Sequence, residues 1–372
     1  MSASAGSRSA LPTYVWEPTT DYLAAKYGLP RESIVRFDVN TSPLAPDLRD
    51  VLASPFDPGL SEYPPSDYAP LVAAAAAAYG VATGEVLPTA GADEALDLTA
   101  RAFLREGSLA VGPVPTYALY RIATEQRGAR FEGVPRLFRE QGFGVDFEAL
   151  AEAAREAALV WLCEPNNPTG SVESPERIAA FLDVLTANAA QDGREAPVVA
   201  IDEAYAEFTG RSVLPLRARY SRLVVIRTLS KAHALAGARV GFAVAVPETL
   251  APILSFRAPA SVSTVSAALG TASLTRPELA AANVAAIAAQ RERLMRDLAA
   301  TGWCPSPSHA NFILVEFWSE GAAAAAAEAL LRQGLVPRTF GSDHPLADYL
   351  RLTVRSASEN DRLIAAARGI PA

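Results

Sequence analysis

From Val86 to Val246 the sequence alternates short apolar runs with segments of helical spacing, and this alternation restricts the fold more than any other feature. The runs are Val86-Leu87-Pro88-Thr89, Leu109-Ala110-Val111, Leu159-Val160-Trp161-Leu162, Val198-Val199-Ala200-Ile201, Leu223-Val224-Val225-Ile226 and Phe242-Ala243-Val244-Ala245-Val246. Most are rich in β-branched residues and too short for buried helices, so they read as strands covered on both faces. Between them, Glu94 to Leu104 carries Ala95, Leu98 and Ala102 at helical spacing, and further helices start at Tyr117 and Pro175. Strands separated by helices predict an α/β class, a doubly wound and mostly parallel sheet with helices on both faces. Ligands of such sheets sit beyond the carboxyl ends of the strands.

The flanking regions differ in character. Residues up to about Ser9 lack periodicity, Asp21 to Tyr27 suggests a short helix ended by Gly28-Leu29-Pro30, and Ile34 to Val39 alternates like an edge strand. The turn Asn40 to Pro46 follows, and the alanine runs Ala73 to Ala78 and Ala322 to Ala327 favour helices. After Pro247 a long helical region is clearest from Leu279 to Ala300. Asn311 to Glu316 and Leu350 to Val354 read as strands, and Ser358 to Arg368 as the last helix, which together suggest a smaller α+β domain. At 372 residues the chain exceeds the roughly 250–300 over which one core keeps growing. The expected division is an arm over 1–35, a large domain over 36–255 and a small domain over 256–372.

Charge and composition narrow the chemistry. A formal net charge of −8 argues against nucleic acid as the main partner, because phosphate binding needs a basic face. Cys163 and Cys304 are too few for a disulfide framework, and His233, His309 and His344 show no ligand spacing, so no metal site is expected. No run of 18 apolar residues occurs, and Met1 to Ala10 lacks an apolar core, which gives the expectation of a cytoplasmic protein without membrane contact.

Three strand ends carry polar groups. Cys163-Glu164-Pro165-Asn166-Asn167-Pro168-Thr169-Gly170 follows the first of these strands, Asp202-Glu203-Ala204-Tyr205 the second, and Thr228-Leu229-Ser230-Lys231 the third. Taken singly they read as a tight loop, a helix N-cap and a chance lysine. Yet Lys231 is one of only two lysines, the other being Lys26, and a guanidinium cannot replace it as a nucleophile because it does not deprotonate. Together the three fit a pyridine ring used as an electron sink. Such a ring needs a carboxylate for its nitrogen, a lysine for its aldehyde and donors for its phenolate oxygen, which Asp202, Lys231, Asn167 and Tyr205 match by type. A phosphate on that cofactor needs a helix N-terminus, hydroxyls and an arginine, which Gly91-Ala92-Asp93, Thr228, Ser230 and Arg239 offer.

Asn167-Pro168-Thr169-Gly170, Asp202-Glu203-Ala204-Tyr205 and Ser230-Lys231 with Arg239 resemble the fold type I pyridoxal-phosphate aminotransferases. Gly91-Ala92-Asp93-Glu94, Pro115-Thr116-Tyr117 and Thr228-Leu229-Ser230-Lys231 resemble the histidinol-phosphate aminotransferase branch, and the similarity runs from about Val35 onward. The resemblance implies pyridoxal 5'-phosphate as cofactor, with Lys231 as Schiff-base lysine and proton shuttle. It implies Asp202 on the pyridinium nitrogen, Asn167 and Tyr205 on the O3′ oxygen, and Tyr117 stacked on the ring. Gly91, Ala92, Asp93, Thr228, Ser230 and Arg239 would hold the phosphate. Tyr63 would reach the phosphate in a second subunit, which implies a homodimer with shared sites. Arg351 would be the substrate-anion arginine, and Arg338 a second one.

Departures cluster where substrate would be read: Asn40-Thr41-Ser42-Pro43 in the first turn, His233, Ala238, and Arg355 after the Arg351 strand. They leave the cofactor reading intact and open the substrate, with His233 expected to pack rather than to touch cofactor. The expected activity is ping-pong transfer of an amino group between an amino acid, or a phosphate such as histidinol phosphate, and a 2-oxo acid. The alternatives are a decarboxylase of a phosphorylated amino acid, to which the segment Asp21 to Pro46 is also similar, and a regulatory module that binds cofactor without turnover.

Overall fold

The computed structural model describes residues 11–371, so the aperiodic stretch up to Ser9 lies outside the described residues. Its centre is a seven-stranded sheet in the order Val86–Thr89, Gly241–Val244, Leu223–Thr228, Val198–Asp202, Leu159–Cys163, Leu109–Val114 and Arg130–Pro135. Only Gly241–Val244 runs antiparallel to its neighbours. Five of these strands are buried at every position, as a sheet covered on both faces requires.

Alternation along each strand divides its side chains between two cores. Val199, Ile201 and Val225 face one layer with the helices Ala69–Tyr79 and Pro175–Gln191, whereas Val198, Ala200, Val224 and Ile226 face the other with Ala92–Phe103 and Pro247–Leu254. Local signals start several helices: proline occupies the first turn of Pro175–Gln191, Pro247–Leu254 and Pro277–Ala299, where no intrahelical donor is lost. Ser356 and Glu359 form a capping box at the last helix, Ala357–Ala367.

Two strands differ from the sequence reading. Arg130–Pro135 is an additional edge strand, with one face solvated and hence no apolar run to mark it. The segment read as Ile34 to Val39 is a strand only over Val35–Arg36, and it pairs in parallel with Leu335–Val336, far along the chain. It packs in a third core with Phe312–Glu316, Tyr349–Thr353 and the alanine-rich helix Ala322–Leu331. Val262 and Leu274, by contrast, pack in the first core with the large sheet. A fourth cluster packs Ala204, Tyr205, Phe208 and Ala232, which follow strands of the large sheet, against Ile287, Ala310, Phe312 and Val354. No helix among the described residues is long and apolar enough to cross a membrane.

Candidate active site

The polar residues picked from strand ends converge at the carboxyl edge of the sheet. Asp202 ends its strand, and its neighbours occupy both of its oxygens: Tyr120 Oη donates to Oδ2 at 2.8 Å and the Ala204 amide to Oδ1 at 3.0 Å. Asp202 therefore caps the turn that follows its strand, through Oδ1, and its carboxylate is buried at 4% exposure. Burial pushes its carboxyl up to about 6, against the pull of these donors and the Lys231 charge. Tyr120 is itself fixed by stacking on Trp161 at 5.5 Å.

Lys231 lies half-buried after the strand Leu223–Thr228, with Nζ 5.8 Å from the centre of the Tyr205 ring. Burial, joined by the Arg351 charge, pulls its ammonium down to about 8. Tyr205 Oη accepts from Asn40 Nδ2 at 3.1 Å, which leaves its own hydrogen free to donate. Asn166 commits its amide to Pro115 and Thr169, so it shapes the loop. Asn167 instead accepts from Arg351 through Oδ1 at 2.7 Å, which leaves its Nδ2 donor for a ligand.

A second group forms where the helix Ala92–Phe103 begins. Gly91 precedes it with φ of 84° and no side-chain cap, so the first amides of the helix stay open. A Cβ on Gly91 would stand 2.6 Å from the Arg239 guanidinium, and one on Gly241 would stand 2.4 Å from the Gly91 backbone. Only glycines permit this approach of strand, helix start and arginine. Arg239 pairs with Asp93 at 2.9 Å, Tyr117 Oη donates to the same carboxylate at 3.2 Å, and Thr228 and Ser230 hydroxyls bond each other at 2.9 Å.

These two groups fit the cofactor expected from the sequence. The free Nδ2 of Asn167 and the hydroxyl of Tyr205 are donors suited to a phenolate. Asp202 suits a ring nitrogen, and the glycine-walled helix start with its hydroxyls and arginine suits a phosphate.

Arg351 sits in Tyr349–Thr353 of the three-stranded sheet, 9% exposed. It donates to Asn167 and to the Asp38 carbonyl, its Nε has no partner, and no carboxylate pairs with it among the described residues. Burial draws its guanidinium down to about 10. Arg338 exchanges both backbone hydrogen bonds with Arg351 at 3.0 Å, and its side chain lies against Glu17. Tyr63 is not brought into this cluster: it is 86% exposed. His233 bonds Ser273 at 2.8 Å inside the fold and so packs rather than lining the site, while Arg355 pairs with Glu359 at 2.9 Å.

Three contributors went unrecognised in the sequence. Tyr120 follows Tyr117 by three residues, and a buried acid in need of donors was the available signal for it. Asn40 stood out only as part of an unusual turn. Glu17 gave no signal at all, since Arg338, against which it lies, is remote in the chain.

Residues 37–366 match the family model described as aminotransferase class I and II. The chain belongs to that family. It is accordingly an aminotransferase of fold type I that depends on pyridoxal phosphate. A histidinol-phosphate aminotransferase from Roseiflexus castenholzii is 35% identical over 368 residues, covering 96% of this chain and 95% of the relative. One from Xanthomonas campestris is 38% identical over 323 residues, covering 84% and 86%. Among solved structures, histidinol-phosphate aminotransferase from Sinorhizobium meliloti in complex with pyridoxal-5'-phosphate superposes with a TM-score of 0.86 at 27% identity, covering 99% of this chain and 98% of that one. The aminotransferase thus has relatives along nearly its whole length.

Proposed function

We propose that this aminotransferase moves an amino group between an amino acid and a 2-oxo acid, with Arg351 gripping the substrate carboxylate beside Lys231. The observation that carries the reading is the buried guanidinium of Arg351, which has a free Nε and no acidic partner among the described residues. A buried cation without a counter-ion is costly, and a ligand carboxylate placed bidentately on the guanidinium fork offsets that cost. The name carried by the relatives makes a phosphorylated amine one candidate for the second substrate, beside ordinary amino acids.

Bound pyridoxal phosphate supplies an aldehyde carbon for the amino group and a ring that draws electrons from the substrate α-carbon. In this reading the chain supplies the rest. Lys231, its ammonium lowered to about 8 and so readily freed of its proton, would hold the aldehyde and serve as the proton carrier at the substrate α-carbon. Asp202 would keep the ring nitrogen protonated, while Tyr120 and the Ala204 amide hold Asp202. Asn167 and Tyr205 would donate to the phenolate oxygen, with Arg351 orienting Asn167 and gripping the substrate carboxylate. Tyr117, its edge set against Tyr120 at 5.7 Å, would cover the ring. Ala92 and Asp93 amides, Thr228, Ser230 and Arg239 would hold the phosphate.

Arg351→Lys tests the reading, because lysine keeps the charge and loses the planar fork. The Michaelis constant for carboxylate substrates should rise by roughly 30-fold or more, as for truncation of a buried charged hydrogen bond, with a smaller change in kcat. An unchanged Michaelis constant would remove Arg351 from substrate binding.

The same reading includes a homodimer in which Tyr63 completes the phosphate site of a second copy. It is supported by the exposure of Tyr63 together with Leu52 and Leu60 in the same part of the chain. Sedimentation should give twice the chain mass, and Tyr63→Phe should weaken cofactor retention. A fully active monomer would refute the shared site. Transamination is favoured over decarboxylation because the relatives above are aminotransferases by name. A keto product without carbon dioxide release is the corresponding result.

A further inference from the structure

The turn that carries Lys231 has few bonds of its own. The Leu235 amide closes it on the Leu229 carbonyl at 2.9 Å and the Ala234 amide on the Lys231 carbonyl at 3.1 Å, with Ala234 at a left-handed φ of 56°. That conformation is costly for a residue with a Cβ, so the surroundings must impose it. Ala232, next to the lysine, is fully buried, and a buried carbonyl requires a donor. No backbone amide supplies one among the described residues. The donor is Asn283 Nδ2, at 2.6 Å.

Asn283 lies inside the helix Pro277–Ala299 and is 6% exposed. Asparagine is a poor choice for a helix interior, because its side chain competes for nearby backbone groups. Here both ends of the amide are directed to segments remote in the chain: besides donating to Ala232, its Oδ1 accepts from Ser42 Oγ at 2.8 Å. Ser42 accepts in turn from the Leu44 amide at 3.1 Å, which leaves its one hydrogen for Asn283. Two residues earlier, Asn40 donates to Tyr205 Oη, and its own backbone is held by Thr353 Oγ1 at 2.9 Å and Asn311 Nδ2 at 3.0 Å. The turn at 40–42 thus reaches Tyr205 through Asn40 and the Lys231 turn through Ser42 and Asn283. Ala232 and Ile287, one helical turn past Asn283, pack with Tyr205 in a single apolar cluster.

We propose that Asn283 is a positioning residue for amino-group transfer: it fixes the turn that aims the Lys231 amine and, through Ser42, sets that turn in register with the Tyr205 hydroxyl. The inference rests on Lys231 as the residue that holds the cofactor aldehyde. Such placement matters because a shift of about 1 Å at a reacting group can cost roughly 10²-fold in rate.

The test titrates the Lys231 amine in cofactor-free protein, by its rate of acetylation with acetic anhydride across pH, read by peptide mapping. The charges that face the amine, Arg351, Asp93, Arg239 and Asp202, stay in place in every variant. Asn283→Leu keeps the volume and removes both bonds. Its Lys231 amine, no longer held in its buried place beside Arg351, should titrate about one pH unit higher than in the wild type. Ser42→Ala removes one bond and leaves the helix alone, and it should move the midpoint the same way by roughly a third as much. A clasp that merely braced the fold would lower the melting temperature and leave the midpoint of the folded protein unmoved. In the holoenzyme, Asn283→Leu should lower kcat roughly tenfold or more and keep the Michaelis constant for a carboxylate substrate within about twofold, because Arg351 is untouched. An unmoved midpoint in either variant, or a raised Michaelis constant without a fall in kcat, overturns the proposal. Should Asn283→Leu fail to fold, the midpoint of Ser42→Ala decides alone. Borohydride labelling of the wild type judges the lysine separately: label away from Lys231 removes the reading beneath, whereas label on Lys231 with an unmoved midpoint removes only Asn283.

Discussion

Replacing Lys231 by arginine should abolish attachment of the cofactor to the chain and lower amino-group transfer by at least the roughly 10²–10⁴-fold that a positioned proton carrier contributes. Arginine preserves length and charge, so the large-sheet cores are left alone. It fails on chemistry, because the wild-type amine is drawn down to about 8 by burial and by the Arg351 charge, whereas a guanidinium keeps its proton. Borohydride reduction followed by peptide mapping checks the first half: label on the Lys231 peptide in the wild type, and none in Lys231→Arg. Label on the Lys26 peptide instead would overturn the assignment of the cofactor link.

Asp202→Asn should weaken cofactor retention by about 2–5 kcal/mol, the cost of truncating one member of a buried charged hydrogen bond, or roughly 30- to 3000-fold in the dissociation constant. The cofactor-free protein should not share this loss. With its carboxyl raised to about 6, Asp202 favours folding fully below the unfolded value near 4, and that contribution disappears as the pH rises through 6. At pH 7 the buried carboxylate is therefore a burden on the empty fold. Asparagine relieves it while its amide oxygen accepts from the Ala204 amide and its NH2 donates to the Tyr120 oxygen. Thermal melts at pH 7 should show cofactor-free Asp202→Asn at least as stable as the wild type, and cofactor addition should stabilise the wild type far more. Equal stabilisation of both would remove Asp202 from the ring nitrogen.

What the sequence made legible was chemistry confined to a few residue types. Lys231 stood out because lysine is nearly absent elsewhere, and Asp202 because an acid at the end of an all-apolar strand needs a reason. The five inner apolar runs became strands at or near their read positions for the same reason: burial on both faces leaves them little choice of residue. The remainder depends on partners distant in the chain. Arg130–Pro135 pairs on one edge only and alternates with exposed residues, so hydropathy did not mark it. Val35–Arg36 is a strand solely because Leu335–Val336 lies beside it. Tyr120 looked like an ordinary core aromatic, and its hydroxyl acquires a role only once Asp202 is placed against it. Glu17 sits in a segment without periodicity, and no local pattern says that Arg338 will be within reach.

The glycine contact between Gly91 and Gly241 has a bearing on how the molecule is made. Asp93 and Arg239 are 146 residues apart in sequence, Asn167 and Arg351 are 184 apart, and Asp38 and Arg351 are 313 apart. Closures this long come late, because chain entropy opposes them until much of the structure is in place to reward them. Partly folded chains should therefore hold the cofactor poorly even with both sheet cores formed. Once the last closure is made, the ligand adds its binding free energy to the finished state alone, and the cofactor acts as a selective stabiliser of completed chains.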